Sequence, residues 1–101
     1  MLFRSDTIFQ KTESDISSLM TYLKDRNFRE MRKWVGLNSD TDVNTIFRKI
    51  YDGMYDFIAP NSIPQVVVIL GEYQYKSAFV ADQEINLCAC LTEIMAMEVV
   101  K

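Results

Sequence analysis

The chain has 101 residues, a length typical of one domain, and its 49% apolar and 25% charged residues are typical of a globular fold. Its net charge of −3 counts against a domain whose main task is to hold a nucleic acid backbone, because such domains carry a basic surplus. The sequence has no apolar run of membrane-spanning length and no signal-peptide pattern, so we expect a cytoplasmic protein.

The residue types exclude much catalytic chemistry. The absence of histidine removes the commonest general base and the histidine-paired nucleophiles. Cys88 and Cys90 are too few for a structural zinc site, and we interpret them as reduced, buried thiols, with a reactive thiol as the alternative. The chain also contains no glycine-rich phosphate-binding loop. We therefore predict a protein that is not an enzyme and holds no cofactor or metal.

The first half of the chain predicts two helices after an irregular segment. Residues 1–11 show no period and are predicted to be an irregular lead-in to a helical domain over residues 12–101. A first helix is predicted to begin at Thr12 or Ser14 and to end near residues 24–27, since apolar residues follow at helical spacing. A short second helix is predicted from Phe28 to Val35, with Gly36 as its stop.

The second half predicts three longer helices. The third runs from Val43 to Ile58 and is closed by Pro60. The residues Ser62-Ile63-Pro64-Gln65 are typical of a capping box, so the β-branched run 66–70 is predicted to be a helix buried on most sides rather than a strand. The last helix is predicted from Asp82 to about Met97.

These elements predict an all-α domain of five helices. The last two helices are apolar nearly all round, and a domain this small has too few elements to surround both. We therefore expect a partner, either copies of this chain or the rest of a larger protein.

The stretch from Tyr75 to Leu91, YKSAFVADQEINLCACL, is similar to the end of the small subunits of clamp loaders of the replication factor C type. Residues 15–28 and 46–51 resemble that family's first three collar helices. Within that family, the amino-acid sequence is most similar to the clamp-loader ATPase subunits of T-even-type bacteriophages, at residues 50–52, 60–65 and 71–86. The resemblance covers roughly residues 12–97.

The resemblance implies a C-terminal collar domain, which packs side by side with other collars into a ring of five. The ring holds AAA+ ATPase modules that load a sliding clamp onto primed DNA. The implied partners are the other clamp-loader subunits, the clamp and primer-template DNA, in the host cytoplasm if the chain is viral. The AAA+ module is absent from this chain, so ATP and Mg²⁺ would belong to that module and no residue here is assigned to hydrolysis.

Two sets of residues are candidates for contacts. For the interface between subunits we name eight residues of the last two helices, and we expect Leu87 and Leu91 to lie between neighbouring collars. Core packing is the alternative for the tyrosines, and helix capping is the alternative for Asp82. The eight residues are Tyr73, Tyr75, Lys76, Phe79, Asp82, Glu84, Leu87 and Leu91.

The second set comes from a basic block at residues 24–33. Arg26, Arg29 and Lys33 are predicted to share one helical face and to contact DNA or an acidic neighbour, with a solvated outer face as the alternative. If these residues contact DNA without a clamp loader, the chain would be a free-standing small helical DNA-binding or adaptor protein.

Overall fold

The computed structural model describes residues 16–101, and residues 1–15, including the predicted lead-in and caps, lie outside them. The described residues form an all-α domain, which confirms the predicted fold class and helix number. Its helices are α1 (Ile16–Lys24), α2 (Phe28–Leu37), α3 (Val43–Phe57), α4 (Ile63–Lys76) and α5 (Gln83–Met97).

Helix α5 lies at the centre of the domain and packs against α1, α2 and α4, while α3 packs against α1 and α4. A helix with three helical neighbours needs apolar residues over a wide arc, which explains why the sequence of α5 lacks a single apolar stripe. Its buried residues are Asn86, Leu87, Cys90, Leu91, Ile94 and Met95.

The end of the chain returns to the connection between α3 and α4. The backbone N–H of Ala59 donates to the Val99 carbonyl at 2.9 Å, and the N–H of Lys101 donates to the Phe57 carbonyl at 2.8 Å. A one-turn 3₁₀ helix (Pro60–Ser62) then leads into α4. These hydrogen bonds hold the residues after α5 against the end of α3 and the connection to α4.

The predicted stop of α2 at Gly36 is wrong. Gly36 lies inside α2, and the chain has no glycine in the left-handed conformation among the described residues. Asn38 ends the helix instead: its backbone N–H donates to the Trp34 and Val35 carbonyls, and its side-chain Nδ2 donates to the Trp34 carbonyl at 2.8 Å. The last carbonyls of a helix need hydrogen-bond donors, which a left-handed glycine turn often supplies through the backbone. Here the asparagine side chain supplies such a donor instead.

The helix predicted over residues 66–70 is confirmed, but the capping box is not its cause. The Ser62 side chain makes no capping hydrogen bond, and Ser62 has helical backbone angles, φ −101° and ψ −8°. Pro64 lacks an N–H group, which removes one of the two donors that a cap could reach. The β-branched run is helical because Val66, Ile69 and Leu70 meet the core at helical spacing.

Helices α4 and α5 are joined by a polar contact at the edge of the core. The hydroxyl of Tyr73 donates to the Glu93 carboxylate, and Nδ2 of the buried Asn86 donates to the Tyr73 carbonyl at 3.1 Å. The hydrogen bond to Glu93, followed by burial, raises the pKa of Tyr73 to about 12. Its hydroxyl therefore stays protonated well above the pH at which an exposed tyrosine ionises.

Tyr73→Phe is expected to lower the free energy of unfolding by about 1 kcal/mol at neutral pH, because it removes this hydrogen bond and leaves Glu93 solvated. The folded-state pKa is raised, so the contribution of Tyr73 is complete below pH 10 and is lost as the pH rises towards 12. Urea unfolding of both proteins across that range measures the difference. A difference that does not shrink with rising pH would contradict this account.

Candidate interaction surface

A row of four uncharged residues on α4 faces solvent, with the charged pair Glu72 and Lys76 beside it. Four residues spaced by four, three and four positions lie opposite the buried side of the helix; we call them the α4 stripe. Val68 is 67% exposed and Tyr75 is 71% exposed, and both exceed what a core-facing helix ordinarily leaves uncovered. The α4 stripe consists of Pro64, Val68, Gly71 and Tyr75.

The prediction that α4 is buried on most sides is only partly right, because the α4 stripe is exposed. The helix is apolar over most of its circumference, as predicted, but the described domain covers only the side that carries Val66, Ile69, Leu70 and Tyr73. The outward side has no neighbouring element among residues 16–101 that buries it. Exposed apolar surface of this kind is typical of contacts with another molecule.

A groove between α3 and α4 runs beside the α4 stripe and has a volume of about 260 Å³. Arg48 on its α3 side lies 5.3 Å from the Tyr51 ring centroid and pairs with Asp52 at 3.1 Å. The Tyr51 and Tyr55 rings pack edge to face at 6.3 Å, and Tyr51 raises the pKa of the exposed Tyr55. The groove is lined by Phe47, Arg48, Tyr51, Val67, Leu70, Gly71 and Gln74.

Gly71 lies in the middle of the α4 stripe and at the edge of this groove. A Cβ atom at Gly71 would meet nothing within 4 Å, so packing within the described domain does not require a glycine. Glycine in a helix interior costs about 1 kcal/mol relative to alanine. A close approach by another molecule would account for this residue.

Two of the predicted interface residues lie on or beside the α4 stripe. Tyr75 is part of the stripe, and Phe79 extends it: Phe79 is 72% exposed and packs on Tyr75 with 5.2 Å between ring centroids. Lys76 is exposed at the border of the stripe, where its Nζ lies 4.6 Å from the Tyr73 ring centroid and 3.9 Å from Glu72. These residues form one continuous surface at the C-terminal end of α4.

The structure corrects the assignment of Tyr73, Leu87 and Leu91 to a subunit interface. Leu87 is 2% exposed, Leu91 is not exposed and Tyr73 is 8% exposed, so their side chains are part of the core. The reason is the central position of α5, whose apolar positions are covered by α1, α2 and α4. A carboxylate at Leu87 or Leu91 would disrupt folding before it could report on assembly.

Asp82 and Glu84 lie at the start of α5, away from the α4 stripe. The helix-capping alternative is confirmed for Asp82, whose carboxylate accepts a hydrogen bond from the Ile85 N–H at 3.1 Å. Both carboxylates are exposed, and Glu84 stands in the first turn, where a negative charge is favourable. The eight predicted residues therefore do not form a single surface.

The basic block forms an exposed row on α2 that differs from the prediction at two residues. Arg29 and Lys33 lie on the same face, as predicted, together with Arg32, which the prediction missed. Arg26 precedes α2, adopts a left-handed backbone with φ 57° and pairs with Glu98 at 2.6 Å. It is not on the face because Asn27 is the N-cap and α2 begins only at Phe28.

Neither thiol has the properties of a nucleophile. Cys90 is fully buried, and burial raises its pKa to about 12; burial also raises the pKa of the half-buried Cys88, with a further contribution from Glu84. The structure thus agrees with a buried thiol at Cys90, while Cys88 is only partly buried.

Residues 16–101 form neither a membrane-spanning helix nor a group of metal-ligating side chains. None of their helices is both long and apolar enough to cross a bilayer. No three side chains of metal-ligating type come together within the same range.

Neither the scan of the chain against protein-family models nor the search of curated proteins finds a match.

Proposed function

We propose that the chain is an assembly module of the collar type, which holds a clamp-loader subunit of the replication factor C type against its neighbours. By itself it would catalyse no reaction. The observation that carries the assembly role is the uncharged, exposed α4 stripe with Phe79 at its end. The sequence resemblance of residues 75–91 supports the clamp-loader assignment.

The composition of this surface supports a contact between proteins. Aromatic residues are enriched at the centres of interfaces and charged residues are depleted there, as on the surface that carries Val68, Tyr75 and Phe79. The charges lie at its borders, where Lys76 is paired with Glu72 and Arg48 with Asp52. A contact here would bury apolar rings without removing an unpaired charge from water.

The position of Gly71 suggests how closely the partner approaches. Without a side chain, α4 presents a notch between Val68 and Tyr75 that a neighbouring helix or loop could enter. Gly36 provides a matched comparison: it also lies inside an exposed helix face and would also place its Cβ in open space, but it is on α2.

Gly71→Ala and Gly36→Ala are each expected to raise the free energy of unfolding by about 0.5–1 kcal/mol, measured by urea denaturation, since alanine is the better helix former. Only Gly71→Ala is expected to weaken subunit association, because its methyl group fills the notch. Sedimentation velocity of the subunit that carries this chain, mixed with its partner subunits, measures association. Equal association of the two variants would contradict a contact at the α4 stripe.

The clamp-loader assignment has a separate test at the level of the gene. We expect the reading frame to continue upstream of Met1 into a segment with the phosphate-binding pattern G-x-x-x-x-G-K-[ST] and an acidic Walker B strand. Sequencing of the DNA before Met1 decides this. An in-frame stop codon followed by a ribosome-binding site would overturn the assignment and favour a free-standing protein.

The row on α2 favours a second candidate function, binding of nucleic acid by a small helical protein. Arg29 and Arg32 are exposed and make no ion pair with another residue of the described domain, whereas Lys33 pairs with Glu30 at 3.4 Å. Two unpaired arginines one turn apart could contact successive phosphates. The net charge of −3 counts against this function.

If the second function holds, the chain binds a DNA duplex with an affinity that falls as salt is raised. Arg29→Glu is then expected to weaken binding by about tenfold or more and to reduce the salt dependence by about one counterion. Lys101→Glu, which makes the same charge change at the end of the chain, serves as the control. Duplex binding by fluorescence anisotropy tests this, and equal effects of the two variants would leave no role for the α2 row.

A further inference from the structure

A second exposed apolar surface lies between the first turns of α2 and α5. A groove of about 430 Å³ opens there, and its apolar lining consists of Phe28, 49% exposed, Ile85, 68% exposed, and the half-buried Cys88. Large apolar side chains that stay in contact with water gain free energy when another molecule covers them. We call this surface the α2–α5 groove; it is lined by Phe28, Arg32, Asp82, Glu84, Ile85 and Cys88.

The α2–α5 groove carries charges of opposite sign on its two sides. Arg32 lies on the α2 side, and Asp82 and Glu84 lie on the α5 side. All three charges reach Cys88 between them: burial raises the pKa of this thiol most, Glu84 and Asp82 also raise it, and Arg32 lowers it. Asp82 caps α5, whereas Arg32 and Glu84 make no ion pair within residues 16–101. The groove therefore fits an apolar surface that carries one negative and one positive group.

The α4 stripe of a second copy of this chain has this pattern. Its exposed residues Val68 and Tyr75 are bordered by Glu72 and Lys76, whose carboxylate and ammonium groups lie 3.9 Å apart. Both charged side chains are about half exposed, so their mutual ion pair contributes little and each group is available to a charge on another molecule. The two surfaces of the chain are thus complementary in both apolar character and charge.

We propose that the α4 stripe of one copy docks in the α2–α5 groove of the next copy. The exposed side chain of Ile85 enters the notch at Gly71, and Val68 and Tyr75 on either side of the notch cover the apolar lining of the groove. This inference rests on the proposed assembly role, because it names the partner of the α4 stripe.

The charged groups determine the direction in which the docked helix lies. In the favoured direction, Glu72 meets Arg32 on α2 and Lys76 meets Glu84 on α5. The reverse direction would bring like charges together, which is unfavourable. A nucleic acid in this groove would place its phosphates beside Asp82 and Glu84, so the carboxylates favour a protein as the occupant.

The contact joins two different surfaces, so every copy in a pair still has one free surface. Contacts of this head-to-tail kind continue beyond a dimer, into a closed ring or an open chain. We therefore expect the average mass of the chain in sedimentation equilibrium to rise with protein concentration and to pass that of a dimer.

The decisive test uses one variant on each surface, Tyr75→Ser on the stripe and Ile85→Ser in the groove, both at exposed positions. Each variant alone is expected to self-associate at least about tenfold more weakly, since a large apolar side chain is removed from the contact. An equimolar mixture is expected to form dimers and nothing larger, because it retains one intact stripe and one intact groove. Leu37→Ser, at a residue of α2 that is 76% exposed and lies outside both surfaces, is the control.

Exchange of the charges tests the direction of docking. Arg32→Glu is expected to weaken self-association several-fold, and Glu72→Arg in the same chain is expected to restore it, since the opposite charges then face each other again. Lys101→Glu is the control for the change of net charge. Urea unfolding checks that each variant is folded, and Phe28→Ser replaces Ile85→Ser if the latter is not.

Three results would overturn the docking proposal: a chain that stays monomeric at its highest soluble concentration, a groove variant that associates like the unchanged chain, or a charge exchange that restores nothing. The proposed assembly role has its own outcome. If Gly71→Ala weakens association with the partner subunits and Ile85→Ser does not, the stripe is an interface for another surface and only the docking proposal fails. If neither variant weakens association, both fail.

Discussion

The burial of α5 among three other helices is the interaction on which the rest of this domain depends. Leu91 and Cys90 are completely buried and Ile94 is 1% exposed, so the middle of α5 is in contact with protein on most sides. Because α1, α2 and α4 all pack on this helix, the loss of one large side chain there would open a cavity shared by several elements. The centre of the domain is thus occupied by residues that cannot also face a partner.

The remaining helices follow from that arrangement. Gly53 lets α1 approach α3, since a Cβ there would lie 3.2 Å from Ile16 Cγ2. Helix α4 uses one side for α5 and α3 and leaves the α4 stripe to solvent. The α4 surface available for assembly is therefore the side that is left over after the core is satisfied, and it lies beside an aromatic groove.

Polar side chains end the helices and join one helix to another. Asn38, Asp42 and Asp82 each satisfy backbone groups at a helix terminus, and Tyr73 with Glu93 joins α4 to α5. One acceptor is left without a partner among the described residues: Asn38 donates to the end of α2, and its Oδ1 is buried and accepts no hydrogen bond. The residue that ends α2 therefore also leaves a buried polar atom beside the core.

The sequence by itself determined the fold class, the five helices and most of their bounds, because helical spacing of apolar residues and the capping aspartate at residue 82 are local signals. It also showed that the last two helices carry more apolar surface than a small domain can cover. Only the tertiary structure decided which of those residues are covered. In the sequence, Leu87, Leu91 and Val68 are all apolar residues of apolar helices. In the structure, Leu87 and Leu91 are buried under α1, α2 and α4, whereas Val68 is exposed, because burial depends on which elements pack together. The orphaned oxygen of Asn38 and the open space at Gly71 were likewise decided by packing, because neither has a local pattern that a sequence can reveal.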